Sequence, residues 1–120
     1  MKGILIIDDD PGIQDVLKII FERAGYTVFL EANADVILQD DYPLPDIFLL
    51  DRYLSGRDGL DICRNLKANT YSSHIPVIMI SATPDMAPLA AATGANDFIE
   101  KPFNIADLMK IIEKHSTVAT

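Results

Sequence analysis

Five polar residues each close a short apolar run. Asp8 and Asp9 follow Gly3-Ile4-Leu5-Ile6-Ile7, Asp51 follows Ile47-Phe48-Leu49-Leu50, Ser81 follows Val77-Ile78-Met79-Ile80, and Lys101 follows Asp97-Phe98-Ile99-Glu100. Apolar runs this short are the pattern of strands buried on both faces of a parallel sheet. Side by side, such strands bring their last residues to one carboxyl edge, where open α/β sheets bind ligands. Taken singly, Asp51 reads as an ordinary carboxylate ending a strand. Taken together, the five residues put carboxylates, a hydroxyl and an ammonium on one rim. Ionised carboxylates about 5 Å apart repel by about 3 kcal/mol per pair at an effective dielectric near 20, which a fold tolerates when a cation normally sits there. Hard oxygen ligands with open positions suit Mg²⁺, or Mn²⁺ in its place, and Mg²⁺ bridges to phosphate oxygens.

The elements that must position these residues are legible between the runs. Asp10-Pro11 opens a helix, with Asp10 at the N-cap and Pro11 in the first helical position. Its apolar face is Ile13, Val16, Leu17, Ile20, Phe21 and Ala24, and Gly25 stops it. Thr27-Val28-Phe29-Leu30 is a strand, and a short helix over about 34–40 carries Val36, Ile37 and Leu38. Tyr42-Pro43-Leu44-Pro45 forbids helix and leads into the Asp51 strand. Leu54 to Gly59 reads as a turn. A helix with Leu60, Cys63, Leu66 and Lys67 follows and ends near Asn69. Residues 84–93 are alanine-rich but contain Pro84 and Pro88, so the helix there is short or irregular, and Gly94 ends it. Asn104 caps a last helix whose face is Ile105, Leu108, Met109 and Ile112. Five strands alternating with five helical segments predict a doubly wound α/β fold, a parallel sheet between two helical layers.

At 120 residues and 49% hydrophobic content the chain suits one domain, residues 1–120, with a single core. The single cysteine, Cys63, excludes an internal disulfide and reads as core. No run is long enough to span a membrane, and no signal peptide is visible, so the expected location is cytoplasmic. A net charge of −8 argues against direct contact with nucleic acid. His74 and His115 are isolated and lack metal-ligand spacing, and Asp97 and Glu100 read as solvated strand-end charges.

With Ile6-Ile7-Asp8-Asp9-Asp10, Leu49-Leu50-Asp51, Gly59, Ser81-Ala82, Gly94-Ala95 and Lys101-Pro102-Phe103 in this order, nearly the whole chain resembles a response-regulator receiver domain of two-component signalling, the CheY-like fold. The resemblance implies the flavodoxin-like strand order 2-1-3-4-5. It makes Asp51 the phosphoacceptor for a sensor histidine kinase or histidine phosphotransfer protein. Asp9 becomes the direct Mg²⁺ ligand, Asp8 an acid acting mainly through water, and the Tyr53 backbone carbonyl a further ligand. Lys101 pairs with Asp51 or its phosphoryl oxygens. Ser81 is the switch hydroxyl and Phe98 the aromatic that turns with it, and Pro102 follows a bond that is usually cis. Such a domain is a phosphorylated signalling switch rather than an enzyme, and no effector domain is expected in this chain.

Departures from the family pattern carry expectations of their own. Ser55 stands where proline is common, which loosens the turn after Asp51. Tyr53 and Thr83 occupy positions that tune phosphoryl lifetime, and a bulky Tyr53 predicts slow loss of phosphate. The segment from Ser81 to Phe98 is shortened, which argues against a symmetric dimer through the fourth helix. Two rival functions stand beside this one: a small Mg²⁺-dependent phosphohydrolase with Asp8 as nucleophile, and a pseudo-receiver that binds partners without phosphorylation.

Overall fold

Leu5 and Ile7 face one side of the first strand, and Ile4 and Ile6 face the other. All four are fully buried, so the strand is covered by helices on both sides. The computed structural model describes residues 2–54, 56–83 and 86–116. The chain runs β1 (Gly3–Ile7), α1 (Pro11–Arg23), β2 (Thr27–Glu31), α2 (Asp35–Leu38), β3 (Ile47–Asp51), β4 (Tyr53–Leu54), β5 (Arg57–Asp58), α3 (Gly59–Ala68), β6 (Val77–Ser81), α4 (Met86–Ala92), β7 (Asp97–Glu100) and α5 (Ile105–Ser116). The main sheet is parallel with order β2-β1-β3-β6-β7. Counting only its own strands, this is the expected 2-1-3-4-5.

The two faces carry separate cores, as alternation along each strand requires. Leu5, Ile7, Phe48, Leu50, Val77 and Met79 pack with Ile37 of α2, Leu60, Cys63 and Leu66 of α3, and Met86 and Ala90 of α4. Ile4, Ile6, Ile47, Leu49, Ile78 and Ile80 pack with Leu17 and Phe21 of α1 and with Leu108 and Ile112 of α5. The register sets Ile7 beside Leu50, Asp51 beside Ile80, and Ser81 beside Glu100. Every residue that ends an apolar run therefore emerges at the same edge.

Local chemistry explains the element ends. The Asp10 side chain accepts the Gly12 and Ile13 N–H groups at 2.9 and 3.3 Å, capping α1 with Pro11 in its first turn. Gly25 and Gly94, with φ of 95° and 91°, take the left-handed conformation that ends α1 and α4. α4 is seven residues long. Pro88 is its third residue, in the first turn where proline removes no intrahelical hydrogen bond. Pro84 and Asp85, which begin the alanine-rich segment, lie outside the described residues, as does Ser55.

Four expectations need correction. The turn after Asp51 contains an antiparallel ribbon of β4 and β5, with Tyr53 paired to Asp58 and Leu54 to Arg57. The short helix over 34–40 occupies only Asp35–Leu38. Val16, Leu38 and Ile105 do not join the core and are 52%, 40% and 48% exposed. The helical stripe is wider than the line of contact with the sheet, so residues at its margin stay in solvent. Asp97 and His115 are not isolated charges. His115 Nε2 lies 2.9 Å from Asp97 Oδ2, Lys114 Nζ lies 3.8 Å from the same oxygen, and Asp97 Oδ1 accepts the Phe98 N–H at 2.9 Å.

Burial raises the Asp97 pKa, but the His115 hydrogen bond, the Phe98 amide and the nearby positive charge outweigh it and hold the carboxyl below its usual value. A carboxyl depressed on folding stabilises the fold above its unfolded pKa, and that contribution is lost as pH falls through the folded value. His115→Ala is therefore expected to cost about 1 kcal/mol where Asp97 is ionised, and to lessen the loss of stability on acidification. Urea unfolding across the acid range checks this, and an unchanged acid limb would contradict it.

Candidate functional site

The first turn after β1 is fixed by its own polar groups. The Asp8 N–H donates to the Glu31 carbonyl at 3.1 Å, extending the sheet ladder by one rung. Asp8 Oδ1 accepts the Asp10 N–H at 2.9 Å, and Gln14 Nε2 donates to the Asp8 carbonyl at 2.7 Å. Asp8 is 1% exposed, whereas Asp9 is exposed at the mouth. Asp51 ends β3 and is 7% exposed. One carboxylate oxygen from each of Asp8, Asp9 and Asp51 lies within 4.8 Å of the others.

Lys101 reaches this group from the next edge. Its N–H donates to the Ser81 carbonyl at 2.9 Å, and its bond to Pro102 is cis, as expected. The Lys101 ammonium lies 3.4 Å from Asp51 Oδ1 and 3.5 Å from Asp8 Oδ2, so it serves two carboxylates. That is too little. The Asp51 carboxyl is pushed up to about 6, by burial first and then by the Asp8 charge, and Lys101 offsets these only in part. A cluster of carboxylate oxygens with one ammonium leaves an excess of negative charge. Such a donor set fits a hard divalent cation of the Mg²⁺ type.

The remaining expected residues surround the cleft. Ser81 is 1% exposed, and its Oγ accepts the Thr83 N–H at 3.0 Å. Phe98 is half-buried against the core on the α4 side, in the wall of a groove of about 220 Å³ beside Ala87, Ala90 and Ala91. It pairs with Met79, one side-chain step along the sheet from the Ser81 pair. Tyr53 opens β4 two residues after Asp51 and is 57% exposed. The Asp10 side chain caps α1.

Gly59 shows why the sequence needs glycine here. A Cβ would strike the Asp51 carbonyl and lie 2.9 Å from Arg52 Cα, while the Gly59 N–H donates to the Arg52 carbonyl. The start of α3 thus rests directly on the backbone of Asp51. Sequence reasoning passed over Arg52, whose side chain is 15% exposed and engages Asp58 and Tyr53. The available signal was a long cation immediately after a buried strand, with an acidic helix cap six residues on.

An apolar groove of about 280 Å³ borders the cleft, lined by Ile13, Val16, Leu17, Ile20, Phe103 and Ile105 among others. Ile13 and Phe103 also line a second hollow that continues to Ala82 and Lys101. Among the described residues, no helix is long and apolar enough to cross a membrane.

Residues 4–113 match the family model described as response regulator receiver domain. The DNA-binding response regulator MtrA of Mycolicibacterium smegmatis is 34% identical over 111 residues, covering 90% of this chain and 47% of that protein. The chain spans about half the length of the curated relatives it matches. A putative response regulator from Chloroflexus aurantiacus superposes with a TM-score of 0.88 at 30% identity, covering 96% of this chain and 97% of the other. The receiver domain of the sensor histidine kinase PA1611 from Pseudomonas aeruginosa, which has a magnesium ion coordinated in its active-site cleft, gives 0.85 at 26%, with the same coverage. The sheet order and the layers agree with these likenesses to a flavodoxin-like fold, and the chain belongs to the response-regulator receiver-domain family of two-component systems.

Proposed function

We propose that Asp51 accepts a phosphoryl group from a phosphohistidine on a sensor histidine kinase or a histidine phosphotransfer protein. The observation that carries this reading is the Asp51 carboxylate itself, buried, 3.4 Å from Lys101 Nζ and within reach of two further carboxylates. Asp8, Asp9, Asp51 and the Tyr53 carbonyl are the groups that would hold Mg²⁺, or Mn²⁺ in its place. A bound divalent ion supplies charge neutralisation at the phosphoryl oxygens. Lys101 supplies the protein's own cation to those oxygens and orients the attacking carboxylate. Burial of Asp51 keeps competing water away from the acyl phosphate.

In this reading Ser81 releases the Thr83 amide to bond a phosphoryl oxygen, and Phe98 turns toward the space that Ser81 leaves. The change reaches the surface of α4, β7 and α5, where an output partner of unspecified class binds. The groove between α1 and Phe103 supports docking of an amphipathic helix from the donor, because it opens beside the cleft. The chain acts once per phosphoryl group and is a switch, not an enzyme. A net charge of −8 supports a cytoplasmic domain that contacts neither nucleic acid nor membrane directly. The DNA binding in MtrA's name is a property of the longer protein.

The test is incubation with phosphoramidate and Mg²⁺, followed by mapping of the labile phosphoryl group by peptide mass. Label on Asp51 is expected. Label on Asp8 would favour the hydrolase reading, although Asp8 Oδ1 is already held by the Asp10 amide. A wild-type chain that takes up no phosphate would leave the pseudo-receiver.

A further inference from the structure

The β4–β5 ribbon pairs Tyr53 with Asp58 and Leu54 with Arg57. Ribbons this short do not hold themselves, since even a full hairpin is marginal in water. Yet this one carries the Tyr53 carbonyl, the one member of the proposed Mg²⁺ set with no side chain to adjust. Mg²⁺ demands near-ideal octahedral geometry. That carbonyl is therefore only as good a ligand as the backbone around it is fixed.

Arg52, between Asp51 and β4, fixes it with both main chain and side chain. Its N–H donates to the Ile80 carbonyl at 2.9 Å, and its carbonyl accepts the Gly59 N–H, so the base of the ribbon is tied to β6 and to α3. Its Nε and Nη2 lie 3.4 and 3.5 Å from the two carboxylate oxygens of Asp58 on the returning strand. Asp58 is held in turn as the N-cap of α3, where it accepts the Leu60 N–H at 2.9 Å. Arg52 Cζ sits 4.9 Å from the centre of the Tyr53 ring. Nη1 lies 3.2 Å from Sδ of Met86, a fully buried residue at the start of α4. A thioether is a weak acceptor, so Met86 seats the guanidinium by contact more than by hydrogen bonding. The Arg52 side chain is 15% exposed, in a residue type that mostly faces solvent. One cation thus grips both strands of the ribbon. Arginine suits the task, because a planar guanidinium stacks on a ring while its fork stays on a carboxylate.

We propose that Arg52 is a positioning residue for the metal site, its clamp on Asp58 and Tyr53 holding the Tyr53 carbonyl in place for the cation bound by Asp8, Asp9 and Asp51. This rests on the reading of those groups as the Mg²⁺ set. The role runs against the one that charge alone would give Arg52. A guanidinium one residue from Asp51 repels a divalent cation, so loss of its charge strengthens Mg²⁺ binding. Loss of the clamp weakens binding, because groups that orient a metal ligand typically carry about ten- to a hundredfold in affinity. The two effects have opposite signs. An arginine that merely joined α3 to α4 would affect stability and leave the metal only the charge effect.

The experiment titrates Mg²⁺ into the unphosphorylated protein and follows the amide resonances of residues 8–10 and 51–54. Arg52→Met is expected to weaken Mg²⁺ binding about tenfold. Arg52→Lys keeps the charge without the fork and should weaken it about threefold. In an Asp58→Asn background the clamp is already open while asparagine still caps α3, so Arg52→Met should no longer weaken binding. Unchanged or tighter binding in Arg52→Met, or its full loss in the Asp58→Asn background, overturns the proposal. Arg52→Lys carries the test if Arg52→Met does not fold, and binding at wild-type strength would overturn it equally. A second measurement needs no metal: in chelator, Arg52→Met should speed solvent exchange of the Gly59 N–H and leave the β1 amides unchanged. A Gly59 amide as protected as in the wild type also overturns the clamp. A wild type that does not respond to Mg²⁺ overturns the metal assignment itself, a result distinct from all of these.

Discussion

Asp51→Asn will take up no phosphoryl group, and in metal-free buffer at neutral pH it will be more stable than the wild type by about 2 to 3 kcal/mol. The amide nearly preserves the shape of the carboxylate but has neither its charge nor its nucleophilic oxygen. The Asp51 carboxyl is pushed to about 6 from an ordinary 3.8, by burial and then by Asp8. A carboxyl raised on folding keeps its proton in the folded state over a range where the unfolded chain has lost it. Stability therefore falls as pH rises from about 4 to about 6, by about 1.4 kcal/mol for each pH unit, and stays reduced above. The asparagine variant lacks this titration, so the two proteins should converge below about pH 4 and separate above it. Urea unfolding in chelator at several pH values checks the curve. Adding Mg²⁺ should stabilise the wild type more than the variant, because a ligand of the folded state adds its binding energy to folding. Equal stability of the two proteins at neutral pH would mean that Lys101 alone neutralises the cleft.

Gly59→Ala is expected to cost about 3 kcal/mol, a large share of the roughly 5 to 15 kcal/mol that holds a domain of this size together. The added methyl meets the Asp51 carbonyl and Arg52 Cα and carbonyl, all of them backbone. No flexible side chain is available to yield. Either α3 lifts away, losing the packing of Leu60, Cys63 and Leu66, or the backbone of Asp51 moves. Both outcomes lower stability, and the second also slows phosphoryl uptake among molecules that remain folded. Urea unfolding together with uptake kinetics separates them. A cost below about 0.5 kcal/mol would show that α3 slides on the loop without penalty.

The site's principal residues were legible because their signal is local. A buried strand declares itself in four or five consecutive residues, and parallel register then aligns the strand ends without further information. Asp8, Asp9, Asp51, Ser81 and Lys101 follow from that alone. Pairings across long separations were not legible. Asp97 meets His115 eighteen residues on only because β7 begins where α5 ends. Arg52 meets Met86 across thirty-four residues. The β4–β5 ribbon is too short to show any period. The exposure of Val16 and Ile105 depends on what lies opposite them, which no helical repeat encodes. Gly59 was visible as a motif, but its necessity came from the backbone it touches.

The anchoring of α1 has a consequence for how such a domain can diversify. The helix is held at its base by Asp10, whose amide rests on Asp8, and by Gln14, whose amide reaches the Asp8 carbonyl. Further along the helix, Val16 and Ile19 project into solvent at 52% and 53% exposure. If the donor docks along this helix as proposed, recognition and chemistry occupy successive turns of one rod. On that reading, substitutions at Val16 or Ile19 would exchange one partner for another while the carboxylates keep their places, so new wiring could evolve without rebuilding the switch.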